Sequence, residues 1–424
     1  MRKSARQQAP WRLGIAVAAA LAVVLSGCGG ADERSSDGAS GTPSGTPSSG
    51  VPAGGTGGAS PGPGSPSPSP SSSPVFREQA EAVAKFLREN WPEGAGGTVV
   101  TARDGTLVGC QGLGQSDQGA GRAADCDTVY DIGSITKSFT AAAVLKLEMG
   151  GALRVTDPIG AHLGAVPVDK RGITIHQLLT HTSGLPEGIG DDYDPVSRDA
   201  MVAGALAAPL ESAPGREFAY SNVGYSLLAA IVERVSGVAY DDYLTRNLFQ
   251  PAGMTRTGYA LPDPGRGDVA VEYDEEGASQ GRPFEHPWAP DGRPYWNLRG
   301  NGGLLSTARD MYLWYRALEG ESVLSAAAKA KMFTPHVPEG GGSAGSYGYG
   351  WTVTPTDGGP VVTHDGGNDW SFARVLIRPS DRTLVFWVTN SVIREGGWNL
   401  EEQDRELSLG LLAALSAGSG GGGK

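Results

Sequence analysis

Phe76, Ala80, Val83, Leu87 and Trp91 fall three or four positions apart, a spacing that lines one face of a helix. The run "GTVVTARDGTLVGCQGLG" that follows splits into two β-rich halves around Asp104-Gly105, which predicts a hairpin. From Ser134 to about Gly150 the chain is rich in Ala and Leu and is closed by glycines, so a helix is predicted there. "TIHQLLTHTSG", "RDAMVAGALAA", "VGYSLLAAIVERVSG" and "YDDYLTRNLFQPAG" each begin or end with helix punctuation. "STARDMYLWYRALEG" follows, with Ser306 or Thr307 placed to cap its N-terminus. Past Tyr347 the period falls to two. "YGYGWTVT", "PVVTHDGG", "WSFARVLIRP" and "TLVFWVTNS" predict consecutive antiparallel strands, the last two joined at Pro379-Ser380-Asp381-Arg382. A closing helix carries Leu400, Leu407, Leu411 and Leu415 on one face. Helix and strands at the start, a long helical block, then strands and a helix predict an α/β protein of the α+β kind. Its central antiparallel sheet is built from both ends of the chain, flanked by helices, with an all-helical lobe inserted.

The stretch ahead of this pattern is of another kind. Arg2, Lys3, Arg6 and Arg12 form a basic start, and Leu13 to Leu25 is an apolar run too short to span a bilayer. It ends in Leu25-Ser26-Gly27-Cys28, which resembles a bacterial lipoprotein box. That resemblance implies a signal peptide over 1–27 and a diacylated Cys28 as the mature N-terminus. An ordinary secretory peptide or a signal anchor is the alternative. Residues 28–75 hold Gly, Ser, Pro and Thr with almost no large apolar side chain, too little to bury for an ordered fold. As a coil this tether would reach roughly 35–40 Å. The expected arrangement is a globular domain over 76–416, lipid-anchored on the outer side of a cell membrane, with a flexible Gly/Ser tail at 417–424.

Charge and cysteines narrow this picture. The net charge is −12, with 19% charged residues, and the acidic residues are scattered rather than run together. Nucleic-acid binders show a basic patch or stripe instead, so no nucleic-acid partner is expected. Outside the membrane Cys110 and Cys126 are expected to pair, two free buried thiols being the alternative. A closed loop of about 15 residues is worth roughly 3 kcal/mol on the chain-entropy account.

Ser134-Ile-Thr-Lys137 is the first chemically suggestive stretch, at the point where a strand-like run turns helical. A serine at a helix start has an exposed hydroxyl and an unpaired backbone N–H. Lys137, one turn on, shares its face, and burial can lower a lysine's pKa until it accepts a proton. Tyr220-Ser-Asn222 feeds a helix of the inserted block, and His364-Asp-Gly366 lies on a predicted strand. Singly each motif is weak, since Tyr295-Trp-Asn297 and His162-Leu-Gly164 match the same short patterns. In this order, on these element types, they resemble the serine β-lactamase and penicillin-recognising family. The nearest branch is that of class C β-lactamases, DD-carboxypeptidases and related serine esterases. "ITIHQLLTHTSGLP", "GNGGLLSTARDMYLW" and "YGYGW" add to the likeness.

The resemblance implies a β-lactamase/transpeptidase-like fold and an acyl-serine hydrolase. Ser134 would be the nucleophile, with Lys137 and Tyr220 sharing the proton transfers. Asn222 would bind Lys137 and an amide of the acyl group, and His364 would stand where β-lactamases carry the Lys of K-T-G. The N–H groups of Ser134 and Gly367 would form the oxyanion hole, beside Gly366. No cofactor or metal is expected; His176 and His181, five apart on a predicted helix, are poor joint ligands. The partner is a small-molecule or peptide-like acyl substrate, and a monomer is expected. Phe284, Trp288, Tyr295 and Trp296 are read as packing rather than as an acyl pocket, and Tyr295 and Asn297 as accidental matches.

The chain departs from the family pattern at Asp365 and Gly367, where relatives that bind a substrate carboxylate carry Thr or Ser. An acidic side chain there would repel that carboxylate. The expected substrate is therefore an ester or amide without one. A D-alanyl-D-alanine carboxypeptidase or a class C-type β-lactamase is the alternative, and a non-catalytic cell-wall-binding lipoprotein is the alternative from a different class. No E-x-x-L-N segment is present, which argues against a class A-type deacylating glutamate.

Overall fold

The computed structural model describes residues 73–261 and 268–416. The expected signal peptide, Cys28, the tether up to 72 and the tail at 417–424 lie outside the described residues. Helix α1 (Pro74–Asn90) starts two residues ahead of the expected boundary at 76, with Pro74 in the first turn, where a missing N–H costs nothing. The hairpin follows as β1 (Gly97–Arg103) and β2 (Thr106–Leu113). Both residues of its turn, Asp104 and Gly105, have positive φ, of 50° and 74°, as a tight primed turn demands. Helix α2 (Thr136–Met149) comes next, then α3 (Arg198–Ala207), α4 (Asn222–Ser236) and α5 (Ala308–Glu319). The cap of α5 is Thr307, which accepts from Asp310 N.

The later strands are β3 (Val337–Pro338), β4 (Ser346–Tyr347), β5 (Thr352–Thr354), β6 (Val361–Gly367), β7 (Phe372–Arg378) and β8 (Thr383–Thr389), before helix α6 (Leu400–Ala414). They join one antiparallel sheet in the order β2-β1-β8-β7-β6-β5-β4-β3. The first and last strands of the chain thus meet in its middle, as the element order predicts. One face, with Val99, Phe372, Leu376 and Trp387, packs on Val83 and Leu87 of α1 and Leu400, Leu407 and Leu411 of α6. The other, with Val100, Ala373, Val375 and Phe386, packs on α2, α5 and the helical lobe. Each fully buried leucine contributes about 1.5–3 kcal/mol.

Several elements are shorter than the pattern suggests. "TIHQLLTHTSG" gives only Ile175–Leu179, and His181 lies beyond its end at φ 56°. "YDDYLTRNLFQPAG" is helical but opens into a π turn at Thr245–Phe249. "YGYGWTVT" is two short strands, because Gly348 N donates to Trp351 O and closes a turn between them. Cys110 and Cys126 are disulfide-bonded. Trp288 and Phe284 belong to one small apolar cluster and Trp296 to the main core, so these rings do pack.

Candidate active site

Ser134 does not open the α-helix itself. It sits in a 3₁₀ turn, Gly133–Ile135, that feeds α2. The turn exists because Gly133 takes φ 48°, a left-handed value that suits glycine. Strand β6 crosses directly over it: a Cβ on Gly366 would stand 2.3 Å from both Ser134 N and Ile132 O, and one on Gly133 would meet Gly367 N at 2.2 Å. Two glycines are therefore required for this approach. The expected oxyanion pair, Ser134 and Gly367, is brought to one place.

Lys137 Nζ lies 2.9 Å from Ser134 Oγ and donates to Asn301 O at 2.8 Å. The lysine is fully buried in α2, and that burial pushes its pKa down to about 7, against the pull of Asp192, Asp365 and Glu187. Tyr220 is half-buried and hydrogen-bonds Ser134; desolvation holds its phenol well above the usual tyrosine range. Lys137 Nζ also lies 4.8 Å from the Tyr220 ring centre. An alcohol, a neutralisable amine and a protonated phenol therefore meet at one oxygen, the arrangement needed to activate a nucleophile and supply a leaving-group proton.

Tyr220 is set by His181, which lies in the "THTSG" stretch that adds to the family likeness. His181 O accepts from Ala219 N at 2.8 Å, and His181 Nδ1 accepts from Ser221 N at 3.0 Å. These bonds bracket Tyr220, and the imidazole lies 4.4 Å from its ring centroid. Burial keeps His181 neutral.

Asn222 is the main correction. It does not hold Lys137; the Asn301 carbonyl does, and Asn222 Oδ1 is buried with no hydrogen-bond partner. A backbone carbonyl has no residue signature, so the sequence could not reveal it. Asn297, set aside as an accidental motif match, supports that loop: its carbonyl accepts from Asn301 Nδ2 at 2.6 Å.

His364 is buried on the same side of β6 as Gly366, facing the helical lobe. Its Nε2 pairs with Tyr347 OH at 3.0 Å rather than with Ser134, and burial holds it below its ordinary pKa. It supplies no positive charge at neutral pH. Asp365 points to the opposite face, opposite Arg374 in register, and is ion-paired with it at 3.3 Å. Arg374 also binds Asp404 of α6. Desolvation works against its ionisation, but Arg374 and the neighbouring His364 hold the Asp365 carboxyl below the usual range. The expectation that its side chain confronts a substrate in the cleft is therefore wrong. Alternation along a strand, already legible in "VVTHDGG", is the signal that turns it away. Among the described residues no group of three or more His, Cys, Asp or Glu could hold a metal.

A two-sided antiparallel sheet with a helical lobe, and a Ser-Lys-Tyr cluster against a glycine strand, define the penicillin-recognising serine-hydrolase class. The beta-lactamase family model matches residues 83–406, and the chain belongs to that family. PbpX of Bacillus subtilis is 31% identical over 66% of this chain and 66% of its own length. Penicillin-binding protein 4* of the same organism is 29% identical over 75% of this chain and 71% of its own. Among solved structures, an octameric penicillin-binding protein homologue from Pyrococcus abyssi is similar at 28% identity and a TM-score of 0.64, covering 78% of this chain and 77% of that one.

Proposed function

We propose that this protein is an acyl-serine hydrolase acting on an ester or amide substrate outside the cell membrane, to which a lipid on Cys28 tethers it. The observation that carries the reading is the meeting of Lys137 Nζ and Tyr220 at Ser134 Oγ. In its neutral form Lys137 donates to Asn301 O and turns its lone pair to the serine. It takes the Ser134 proton as Oγ attacks the substrate carbonyl carbon. The N–H groups of Ser134 and Gly367 hold the oxyanion. Tyr220, whose pKa keeps it protonated, hands its proton to the departing alkoxide or amine nitrogen and regains one from the Lys137 ammonium, which returns the lysine to its neutral form. The acyl-serine ester is then cleaved by water through the same groups.

Charge supports a substrate without a carboxylate. His364 is neutral where the family's K-T-G lysine would be cationic, and Asp192 and Glu187 are acidic groups acting on Lys137. The buried Asn222 Oδ1 would be satisfied by an N–H of the substrate. The second reading, a D-alanyl-D-alanine carboxypeptidase, gains from the turning away of Asp365 and from the names of the relatives.

The test is a hydrolysis panel on the full chain: short p-nitrophenyl esters, nitrocefin, D-amino-acid amides and a peptide ending D-Ala-D-Ala. Ester turnover is expected, with kcat/KM rising through a limb near pH 7 as Lys137 loses its proton. It should vanish in Ser134→Ala, along with the mass shift left by an acylating probe. Preference for the D-Ala-D-Ala peptide would move the assignment to the second reading. A wild type that no probe acylates would leave a binding lipoprotein.

A further inference from the structure

Beside the serine turn lies a buried polar cluster that the chemistry above does not use. Asp131 Oδ1 accepts from Gly133 N at 2.7 Å, holding the turn from below. Its other oxygen accepts from Asn368 Nδ2 at 3.4 Å, and the same amide donates to Glu272 Oε1 at 3.0 Å. Glu272 Oε2 in turn pairs with His286 Nε2 at 2.7 Å. Asn368 follows Gly367 directly, and its Oδ1 accepts from Trp370 N and Ser371 N at 2.8 and 2.7 Å. Its amide group is thus used at both ends. One end shapes the loop after the oxyanion strand, and the other ties that loop to the carboxylate under the serine turn. Asp131 and Glu272 are both buried, and that burial, with Glu272 as neighbour, raises the Asp131 pKa to about 7.

We infer that Asn368 and Asp131 are positioning residues. Their bond fixes the distance between the Ser134 N–H and the Gly367 N–H, and so how well the cleft holds an oxyanion. No other side chain bonded to Asp131 links the two walls of that hole: Gly133 belongs to the serine turn, and Asn368 to the strand end. The inference rests on the acyl-serine reading for its consequence in rate, but not for the geometry itself.

Asn368→Ala and Asp131→Asn test it in the full chain. The second keeps an oxygen for Gly133 N–H and sets an amide against the Asn368 amide, so it breaks the link with little change in shape. Removing an oxyanion donor outright costs about 10²–10³ in rate, so displacing one should lower kcat per titrated serine roughly 10- to 100-fold in both variants. KM should stay within about threefold, because the contact is made in the transition state. Affinity for an alkylboronic acid, whose tetrahedral adduct places an oxygen in the hole, should fall in step with kcat. Hydrogen exchange supplies a readout independent of catalysis: peptides spanning 131–136 and 365–371 should exchange about tenfold faster, with β1 unchanged. Unchanged exchange, or an unaltered kcat per serine with unaltered boronate affinity, overturns the inference. Faster local exchange in a chain that hydrolyses nothing would uphold the positioning while defeating the acyl-serine reading. If Asn368→Ala does not fold, Asp131→Asn decides.

Discussion

Lys137 carries the sharpest physical tension in the molecule. It is fully buried, and Asn301 O and Ser134 Oγ are its two hydrogen-bond partners. Folding lowers its pKa from 10.5 to about 7. Between those values the folded lysine is neutral while the unfolded one is charged, so falling pH costs stability, at about 1.4 kcal/mol for each unit. Below about pH 7 both forms are charged and the cost levels off. Lys137→Met removes this cost together with the base. The variant is expected to be inactive yet more stable, with a gain in denaturant midpoint that grows as pH falls from 10.5 towards 7. A gain that is flat across that window would mean that the lysine stays charged in the folded state. Such exchange of stability for activity is common where a site is strained or dry.

At the level of elements, the site depends on how closely one strand can lie against one turn. Strand β6 lies on the Gly133–Ile135 turn only because Gly366 has no side chain; a Cβ would stand 2.3 Å from Ser134 N. Gly366→Ala is therefore expected to lower esterase kcat/KM about a hundredfold by spreading the oxyanion walls, and to destabilise by roughly 1–3 kcal/mol through overpacking. Gly109→Ala is the control, since a Cβ on Gly109 meets nothing within 4 Å; it should leave both measurements nearly unchanged. Equal loss in the two variants would point to a general cost of removing strand glycines. Most of these elements were legible in the sequence. The Asp104-Gly105 hairpin, the Ala-rich α2, the period-two strands and the leucine stripe of α6 all form where the pattern puts them. The helix expected over "TIHQLLTHTSG" stops at Leu179, because Thr180 caps it and His181 takes a left-handed φ of 56°. Tertiary bonds to Ala219 and Ser221, not local propensity, hold that residue there.

At the scale of the whole described domain, long-range closures bring distant segments to one crevice. Pairing of β1 with β8, in the middle of the sheet, joins strands from the two ends of the folded chain. The Cys110–Cys126 bond fastens β2 to the segment that leads into Ser134. Reducing it, or replacing both cysteines with serine, is expected to lower unfolding stability by about 3 kcal/mol. Ester turnover per folded molecule at low temperature should survive, because the Lys137 and Tyr220 contacts lie elsewhere. Loss of turnover without loss of stability would make the disulfide part of the site.

The sequence by itself determined the periodic elements, the both-ends sheet, the family, and the three segments that would have to meet. Side-chain period and motif spacing are local properties, and local rules sufficed to read them. Only the tertiary structure decided that a carbonyl from Asn301, rather than Asn222, steadies Lys137, and that Asn368 reaches Asp131. Those contacts join residues as far as 237 positions apart. Partners so distant are selected by how the sheet and lobe close on each other, which no local pattern encodes.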